Sequence, residues 1–341
     1  MCMEDGKLKL SFYGGVGKVT GSNFLLESKK TKALIDCGLI QGHYEGPDPN
    51  YEDFPYDPSS IDYLLVTHAH IDHIGRIGKL VKDGFTGKIY STPATKELAI
   101  HMLADAVNVM KHDAKNKGKD PIYGSGEVDT ALSRWEVIPY HQKKELGDFE
   151  VYLKDAGHIL GSSIIEVTDN NSKKKITFSG DLGNSPTPLL RDTEKIEDSD
   201  YLVVESVYGD RVHEQRAERK EKLKEVINKV MKRNGTLIVP VFSLEKTQVF
   251  LKEINDLIED GHVPSVPVFF DSPLGIKLTS VYEQFTDYFN EEVQKEIKGG
   301  DDIFDFPKLK MTMRRSESEA IDNHVGAKII IASSGMSEGG R

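Results

Sequence analysis

Cysteine is scarce in this sequence, with only Cys2 and Cys37 among 341 residues. Two cysteines cannot build a disulfide framework, and they exclude a zinc site made of several thiolates. Any metal that this chain binds must therefore be held by histidine and carboxylate side chains.

Long apolar runs are missing as well. The sequence begins Met-Cys-Met-Glu-Asp-Gly-Lys, which carries charge and lacks the apolar core of a secretory signal. No apolar run approaches the length that is needed to cross a bilayer. We therefore expect a cytoplasmic protein that has no membrane partner.

The sequence also lacks an excess of positive charge. The chain has 44 Lys and Arg residues against 55 Asp and Glu residues, which gives a net charge of −11. This argues against a surface that is basic all over, although a local basic groove is still allowed. The composition, 38% hydrophobic and 29% charged, is that of a globular protein. The length favours two packed units, or one large domain with an insertion.

Residues 63–75 read Tyr-Leu-Leu-Val-Thr-His-Ala-His-Ile-Asp-His-Ile-Gly. An apolar run typical of a strand is followed within six residues by His68, His70, Asp72 and His73. Alternation along an extended chain puts the first two histidines on one side, and a turn into a helix at Asp72 lets the other two side chains converge on them. A lone histidine here would be structural. Three histidines and one aspartate in so short a stretch would instead crowd together polar groups that need partners, which a cation supplies. The pattern predicts a loop that serves two adjacent metal ions.

Further candidate side chains stand at the ends of other predicted strands, namely Asp36, His158, Asp181 and Glu205. Asp36 suits a carboxylate that orients a ligand histidine, although capping of the following turn explains it nearly as well. Glycines on both sides of His158 permit close approach of the backbone to a metal, and Asp181 repeats the pattern of a strand followed by an acid. Glu205 is a candidate proton carrier, or a partner of a ligand.

The pattern changes in the second part of the chain. A charged helix at 216–232 is followed by an apolar strand at 236–241, and then by another helix and another strand, which is the signature of a parallel α/β domain. We therefore expect domains at 1–208 and 209–341. The basic residues of the charged helix alternate with glutamates, which favours a solvated face over a nucleic-acid patch.

A small polar loop follows the last predicted strand, at 328–331. It contains Ser333, Ser334 and Gly335, whose hydroxyl and amide groups could contact a phosphate. We expect these residues to bind substrate.

Taken together, these residues resemble the metallo-β-lactamase fold and, more narrowly, its β-CASP branch of RNA-processing nucleases. The motifs that carry the resemblance lie at 34–38, 67–75, 157–158, 179–181 and 205–211. The resemblance implies an α/β fold, in which an αββα sandwich is interrupted by an inserted α/β cap domain. It also implies that the substrate lies in the cleft between them.

The resemblance further implies two zinc ions. The implied ligands are His68, His70 and His158 for one ion, Asp72 and His73 for the other, and Asp181 bridging both, with Asp36 orienting a ligand. The implied reaction is hydrolysis of RNA phosphodiester bonds by a hydroxide held on the metals, with Asp72, Asp181 and Glu205 as catalytic residues. Glu205 would protonate the leaving oxygen.

The chain ends at Arg341. In the family, a return segment after the cap supplies further histidines, one of which completes the second metal site. We therefore expect an incomplete cap domain, no return segment and a second zinc site that lacks a ligand, which places the activity of the shortened chain in question.

Three functions stay open at this point. The first is a zinc-dependent nuclease acting on single-stranded RNA, by internal or by end-dependent cleavage. The second is a small-molecule hydrolase of the thioesterase or lactamase type with the same ligands. The third is a shortened, non-catalytic relative that binds RNA or a protein partner. A homodimer is one assembly state that the sequence leaves open.

Overall fold

The computed structural model describes residues 8–42, 46–211 and 217–333. The chain divides into two compact units, which we call unit 1 and unit 2. Unit 1 comprises Met1–Thr187 and Asp192–Val207, and unit 2 comprises Pro188–Arg191 and Tyr208–Arg341. The chain therefore enters unit 2 briefly, returns to unit 1, and then enters unit 2 again.

The first sheet of unit 1 contains its strands in chain order. These are β1 (Lys9–Gly14), β2 (Asn23–Glu27), β3 (Lys32–Ile35), β4 (Tyr63–Leu65), β5 (Lys88–Ser91) and β6 (Trp135–Val137). The helices of unit 1 are α1 (Ile71–Ile74), α2 (Ile77–Lys82), α3 (Pro93–Lys117) and α4 (Ser125–Ser133). Pairing is antiparallel from β1 to β3 and parallel from β3 to β6. The glycine-rich segment between β1 and β2 therefore connects the two strands of a hairpin.

The second sheet of unit 1 has the order β11-β10-β9-β8-β7. Its strands are β7 (Lys143–Leu146), β8 (Phe149–Asp155), β9 (Ser163–Asp169), β10 (Lys175–Phe178) and β11 (Tyr201–Val203). The polar turn between β9 and β10 closes because Asp169 accepts hydrogen bonds from the backbone N–H and the hydroxyl of Ser172, at 2.7 and 2.6 Å.

The two sheets of unit 1 share one apolar core. Ile35 and Leu65 of the first sheet pack in the same buried cluster as Leu153, Ile165 and Phe178 of the second. The opposite face of the first sheet is also buried, because Leu34, Leu64 and Ile89 are fully covered. Successive side chains of a strand point to opposite faces, so the burial of consecutive residues in β3, β4 and β5 shows that both faces of this sheet are covered. A core shared by two sheets agrees with the sandwich that the resemblance implies for this part of the chain.

Unit 2 is built on a four-stranded parallel sheet of order β12-β15-β13-β14. Its strands are β12 (Thr236–Val241), β13 (Val268–Asp271), β14 (Leu309–Met311) and β15 (Lys328–Ser333). Its helices are α5 (Ala217–Lys232), α6 (Lys246–Glu259), α7 (Pro273–Gln284), α8 (Glu291–Lys298) and α9 (Arg315–Ala320). The parallel α/β organisation predicted for this part of the chain is confirmed.

The helical stretch at 71–82 is interrupted. The structure has two short helices there, α1 and α2, separated at Gly75 and Arg76. The backbone N–H of Arg76 donates to the carbonyl of Cys37, at 2.8 Å, instead of continuing the helix. A contact with a distant segment thus overrides the local periodicity.

Among the described residues, no helix is both long enough and apolar enough to cross a bilayer.

Candidate metal centre

The histidine-rich loop runs from the end of β4 into α1. The loop packs closely against the turn after β3, where the N–H of Cys37 donates to the carbonyl of His73 at 2.8 Å. A Cβ atom on Gly38 would lie 1.5 Å from the carbonyl oxygen of Asp72, so only glycine fits at this position. The turn after β3 therefore determines the path of the ligand-bearing loop.

Four of the predicted metal-site side chains converge at one point. The ligand atoms of His68, His70, His158 and Asp181 all lie within 4.8 Å of one another. His70 Nδ1 lies 3.1 Å from His68 Nε2 and 3.2 Å from His158 Nε2. Asp181 Oδ2 lies 3.8 Å from His68 Nε2 and 3.6 Å from His158 Nε2. Side chains from three separate loops thus meet at the edge of unit 1.

These distances can be tested against the size of a zinc ion. Ligands of a tetrahedral zinc, at about 2.0–2.1 Å from the metal, lie about 3.3–3.4 Å apart. Four of the six separations among these ligand atoms, from 3.1 to 3.8 Å, bracket that value, and all six are within 4.8 Å. Three imidazoles and one carboxylate are also a donor set that zinc prefers. The residues fit a divalent cation of this kind.

The second oxygen of Asp181 faces a different pair of side chains. Asp181 Oδ1 lies 3.3 Å from His73 Nε2, which is 3.9 Å from Asp72 Oδ2. The carboxylate of Asp181 therefore stands between the cluster of three histidines and the pair formed by Asp72 and His73. The resemblance implies that Asp181 is shared by two metals, and this stays a prediction.

Asp36 is buried at the back of this site. Its carboxylate accepts hydrogen bonds from the backbone N–H of Thr67 at 2.8 Å and from the hydroxyl of Ser22 at 3.1 Å. His73 Nδ1 lies 2.7 Å from Asp36 Oδ2. A proton held on Nδ1 leaves His73 Nε2 free to face Asp181, which is how a carboxylate sets the tautomer of a ligand histidine.

The local charges favour a cation between these groups. Burial lowers the pKa of His68 well below its ordinary value, and the neighbouring histidines lower it further. Burial would also lower the pKa of His73, but the carboxylates of Asp36 and Asp181 raise it well above its ordinary value. Burial raises the pKa of Asp72. The site therefore stabilises a positive charge beside the carboxylates and a neutral imidazole at His68.

Glu205 follows β11 and lies against the loop that carries Asp181. One carboxylate oxygen of Glu205 accepts from the N–H of Leu182 at 3.4 Å, and the other accepts from the N–H of Val207 at 3.0 Å. A cavity of about 620 Å³ opens beside His73, Asp181 and Glu205. Of the three acids predicted to be catalytic, Asp181 and Glu205 line this cavity, and Asp72 lies beside His73.

Ser333 is at the end of β15, in unit 2. Its hydroxyl lies 2.8 Å from that of Ser243 and also contacts the hydroxyl of Ser272, which caps the first turn of α7. Three hydroxyl groups therefore meet at the carboxyl edge of the parallel sheet. The other two residues predicted to bind substrate, Ser334 and Gly335, lie outside the described residues.

Sequence reasoning missed the supporting role of Thr67. Its hydroxyl lies 2.8 Å from Asp36 Oδ2 and 3.0 Å from His68 Nδ1, so one side chain connects the buried acid to a cluster histidine. The signal that was available is a hydroxyl residue placed between the apolar strand and the first histidine.

Cys37 is buried beside this site and is expected to be inert. Burial raises the pKa of its thiol to about 12. Compared with an ordinary thiol, the reactive thiolate is then about a thousandfold rarer at neutral pH. We expect iodoacetamide at pH 8 to leave Cys37 unmodified in the folded protein and to modify it after denaturation, as measured by peptide mass spectrometry. Rapid modification of the native protein at Cys37 would contradict this burial.

Two parts of the chain match known protein families. Residues 16–240 match the metallo-beta-lactamase superfamily, and residues 247–341 match the Beta-Casp domain. The chain belongs to the metallo-beta-lactamase superfamily, within which it is a Beta-Casp protein. The family and fold expected from the sequence are confirmed.

Individual relatives agree with this assignment. A protein named as a ribonuclease from Thermus thermophilus is 33% identical over 330 residues, which cover 96% of this chain and 73% of the relative. The transcription termination factor FttA of Methanosarcina mazei is 29% identical over 99% of this chain, which spans only 53% of that relative. A solved structure of a protein of unknown function from Enterococcus faecalis V583 has a TM-score of 0.53 at 12% identity, over 96% of this chain and 78% of that one. This last likeness concerns the fold alone.

Proposed function

We propose that this chain is a zinc-dependent ribonuclease that hydrolyses phosphodiester bonds of single-stranded RNA. The observation that carries the proposal is the convergence of His68, His70, His158 and Asp181 within 4.8 Å. The family to which this chain belongs consists of metallohydrolases that include nucleases. The relative that shares 33% identity with the chain is named as a ribonuclease.

The geometry supports the following assignment of ligands. His68, His70 and His158 would hold one zinc ion, and Asp72 with His73 would contribute to a second. Asp181 would bridge the two, because its two oxygens face the two groups separately. Zinc supplies a Lewis acid there, which activates water near neutral pH and offsets charge that develops on a phosphate.

The other side chains of the site position these ligands or move a proton. Asp36 holds the tautomer of His73, and Thr67 does the same for His68 through Nδ1. Glu205 lies beside the cavity near Asp181, and we propose that it delivers a proton to the leaving sugar oxygen.

We further propose that Ser333, Ser334 and Gly335 contact a phosphate of the RNA. The hydroxyl of Ser333 lies with two others at the carboxyl edge of the unit 2 sheet, which is where ligands bind in open α/β sheets. In this proposal, 1–208 carries the metal chemistry and 209–341 carries substrate contacts. The free, buried thiol of Cys37 favours a cytoplasmic location.

Metal removal gives the direct test. We expect the purified chain to cleave a labelled single-stranded RNA in the presence of Zn²⁺, to lose cleavage on chelation, and to regain it when Zn²⁺ is restored. An Asp72→Ala/His73→Ala double variant should lower the rate of cleavage by more than about 100-fold, because it removes two proposed ligands. Denaturing gels measure the products.

The matched control is a His112→Ala/Asp113→Ala variant, because these neighbours form an adjacent acid and histidine on the exposed face of α3. It should cleave like the parent chain. Cleavage that survives the Asp72→Ala/His73→Ala change would indicate a contaminant. Turnover of a model thioester, without any cleavage of RNA, would instead favour a small-molecule hydrolase. Light scattering on the same samples distinguishes a monomer from a homodimer.

A further inference from the structure

The segment Pro188–Arg191 lies in the sequence between Asp181 and Glu205, two residues of the candidate site in unit 1, yet it belongs to unit 2. We call it the docking segment. Its two leucines, Leu189 and Leu190, are 0% and 3% exposed. A loop tip that is this apolar and this buried must serve a purpose beyond connecting two strands, because loop tips are normally exposed and polar.

The docking segment is held in unit 2 by backbone bonds as well as by burial. The N–H of Asn290 donates to the carbonyl of Leu189 at 3.0 Å, and Leu190 forms an antiparallel bridge with Phe289. The ring of Phe289 lies 6.2 Å from that of Phe304, in a cluster of buried aromatic residues. The guanidinium of Arg191 donates to the carbonyl of Asp287. The segment is therefore a fixed part of unit 2.

The base of the same loop is closed within unit 1. The N–H of Thr187 donates to the carboxylate of Asp192 at 3.1 Å, and the hydroxyl of Thr193 donates to the carbonyl of Gly183 at 3.2 Å. These bonds tie the chain that enters the docking segment to the chain that leaves it.

The base also contacts the loop that carries His158. The N–H of Gly183 and the hydroxyl of Thr193 both bond to the carbonyl of Ala156, at 2.8 and 2.9 Å. A Cβ atom on Gly183 would lie 1.9 Å from the carbonyl oxygen of Gly157, so the two backbones are in direct contact. Asp181 stands two residues before Gly183, and His158 follows Gly157 directly. One loop therefore supports two of the four cluster side chains.

We propose that the docking segment is a positioning element, through which unit 2 holds Asp181 and His158 in place for metal binding. This rests on the proposed metal site. Docking of Leu189 and Leu190 then offsets the entropic cost of ordering the loop. This happens before a metal binds, so the ligands are preorganised. Without docking, metal binding itself would have to order the loop, and affinity would fall.

The test compares the affinity of the full chain for Zn²⁺ alone, measured by competition with a chromophoric chelator. We expect Leu189→Ala and Leu190→Ala, singly and together, to weaken Zn²⁺ binding by about 10-fold or more, the effect typical of losing a group that orients ligands. Leu190→Met, which keeps an apolar side chain of similar size, should restore the affinity of the parent.

The matched control is Leu257→Ala, because Leu257 is 1% exposed in unit 2 and lies outside the docking segment. It should bind Zn²⁺ within about twofold of the parent, since it destabilises unit 2 without altering the loop. Fluorescence of Trp135, the only tryptophan in the sequence, reports whether unit 1 is folded in each variant. If the double variant fails to fold, the single variants decide.

The experiment distinguishes failure of the proposed function from failure of the positioning role. If the parent chain binds no Zn²⁺, the proposed function is wrong, and the positioning role, which rests on it, is wrong as well. If the parent binds Zn²⁺ and the folded docking variants bind it equally well, or no worse than Leu257→Ala, only the positioning role is overturned.

Discussion

Replacing His158 with alanine is expected to weaken Zn²⁺ binding and RNA cleavage by more than about 100-fold, because the loss of groups that merely orient ligands already costs about 10–100-fold. His158 Nε2 is 3.2 Å from His70 Nδ1 and 3.6 Å from Asp181 Oδ2, so it occupies one corner of the cluster. Its removal leaves two imidazoles and one carboxylate. Zinc content by elemental analysis and cleavage of a labelled RNA measure the two effects.

The control for this change is His112→Ala, since His112 is exposed on α3 and lies outside the cluster. It should retain both zinc and activity. The side chain of His158 is partly exposed, so the alanine variant should fold with an unchanged Trp135 signal. Full zinc content in the His158→Ala variant would mean that the cluster does not hold the metal.

The second large effect is expected from Asp36→Asn, which should lower the free energy of unfolding of unit 1 by about 3–5 kcal/mol. The carboxylate of Asp36 accepts from Thr67 and Ser22 and faces His73, and it is 1% exposed. An amide nitrogen in its place would point a donor at other donors and leave at least one of them unpaired. Asparagine tolerates the positive φ of 57° at this position, so the backbone itself is not strained.

Urea unfolding followed by Trp135 fluorescence measures this loss, because Trp135 lies in β6 of unit 1. Asp62→Asn is the control, since Asp62 also accepts a backbone hydrogen bond, from Lys32 at 2.8 Å, but is exposed. We expect that variant to lose less than about 1 kcal/mol. Equal stability of the Asp36→Asn variant and the parent would show that the buried network contributes little.

Much of the site could be predicted from the sequence because its signals are local. His68, His70, Asp72 and His73 are close in the chain, and their spacing alone predicts a shared loop. Asp181 was predicted as another acid at the end of a strand, and the structure places it in the same cluster. Parallel pairing in unit 2 likewise follows from the alternation of helices and strands.

The remaining features depend on contacts that the sequence does not encode locally. The break at Arg76 comes from a bond to Cys37, and the role of Thr67 comes from Asp36, which directly follows the neighbouring strand β3. The burial of Leu189 depends on Asn290, which is distant in sequence. The sequence carries no periodic signal for such contacts, because a single pair of leucines in a polar loop has neither a helical nor a strand pattern.

The path of the chain through the docking segment has a consequence for synthesis. The N-terminal part of a protein leaves the ribosome first and folds first. Leu189 and Leu190 are then already translated, while Phe289 and the rest of their aromatic partners are still to be made. The nascent polypeptide therefore exposes two apolar side chains until Phe289 and its neighbours have been translated, and chaperones have a defined place to bind during that interval.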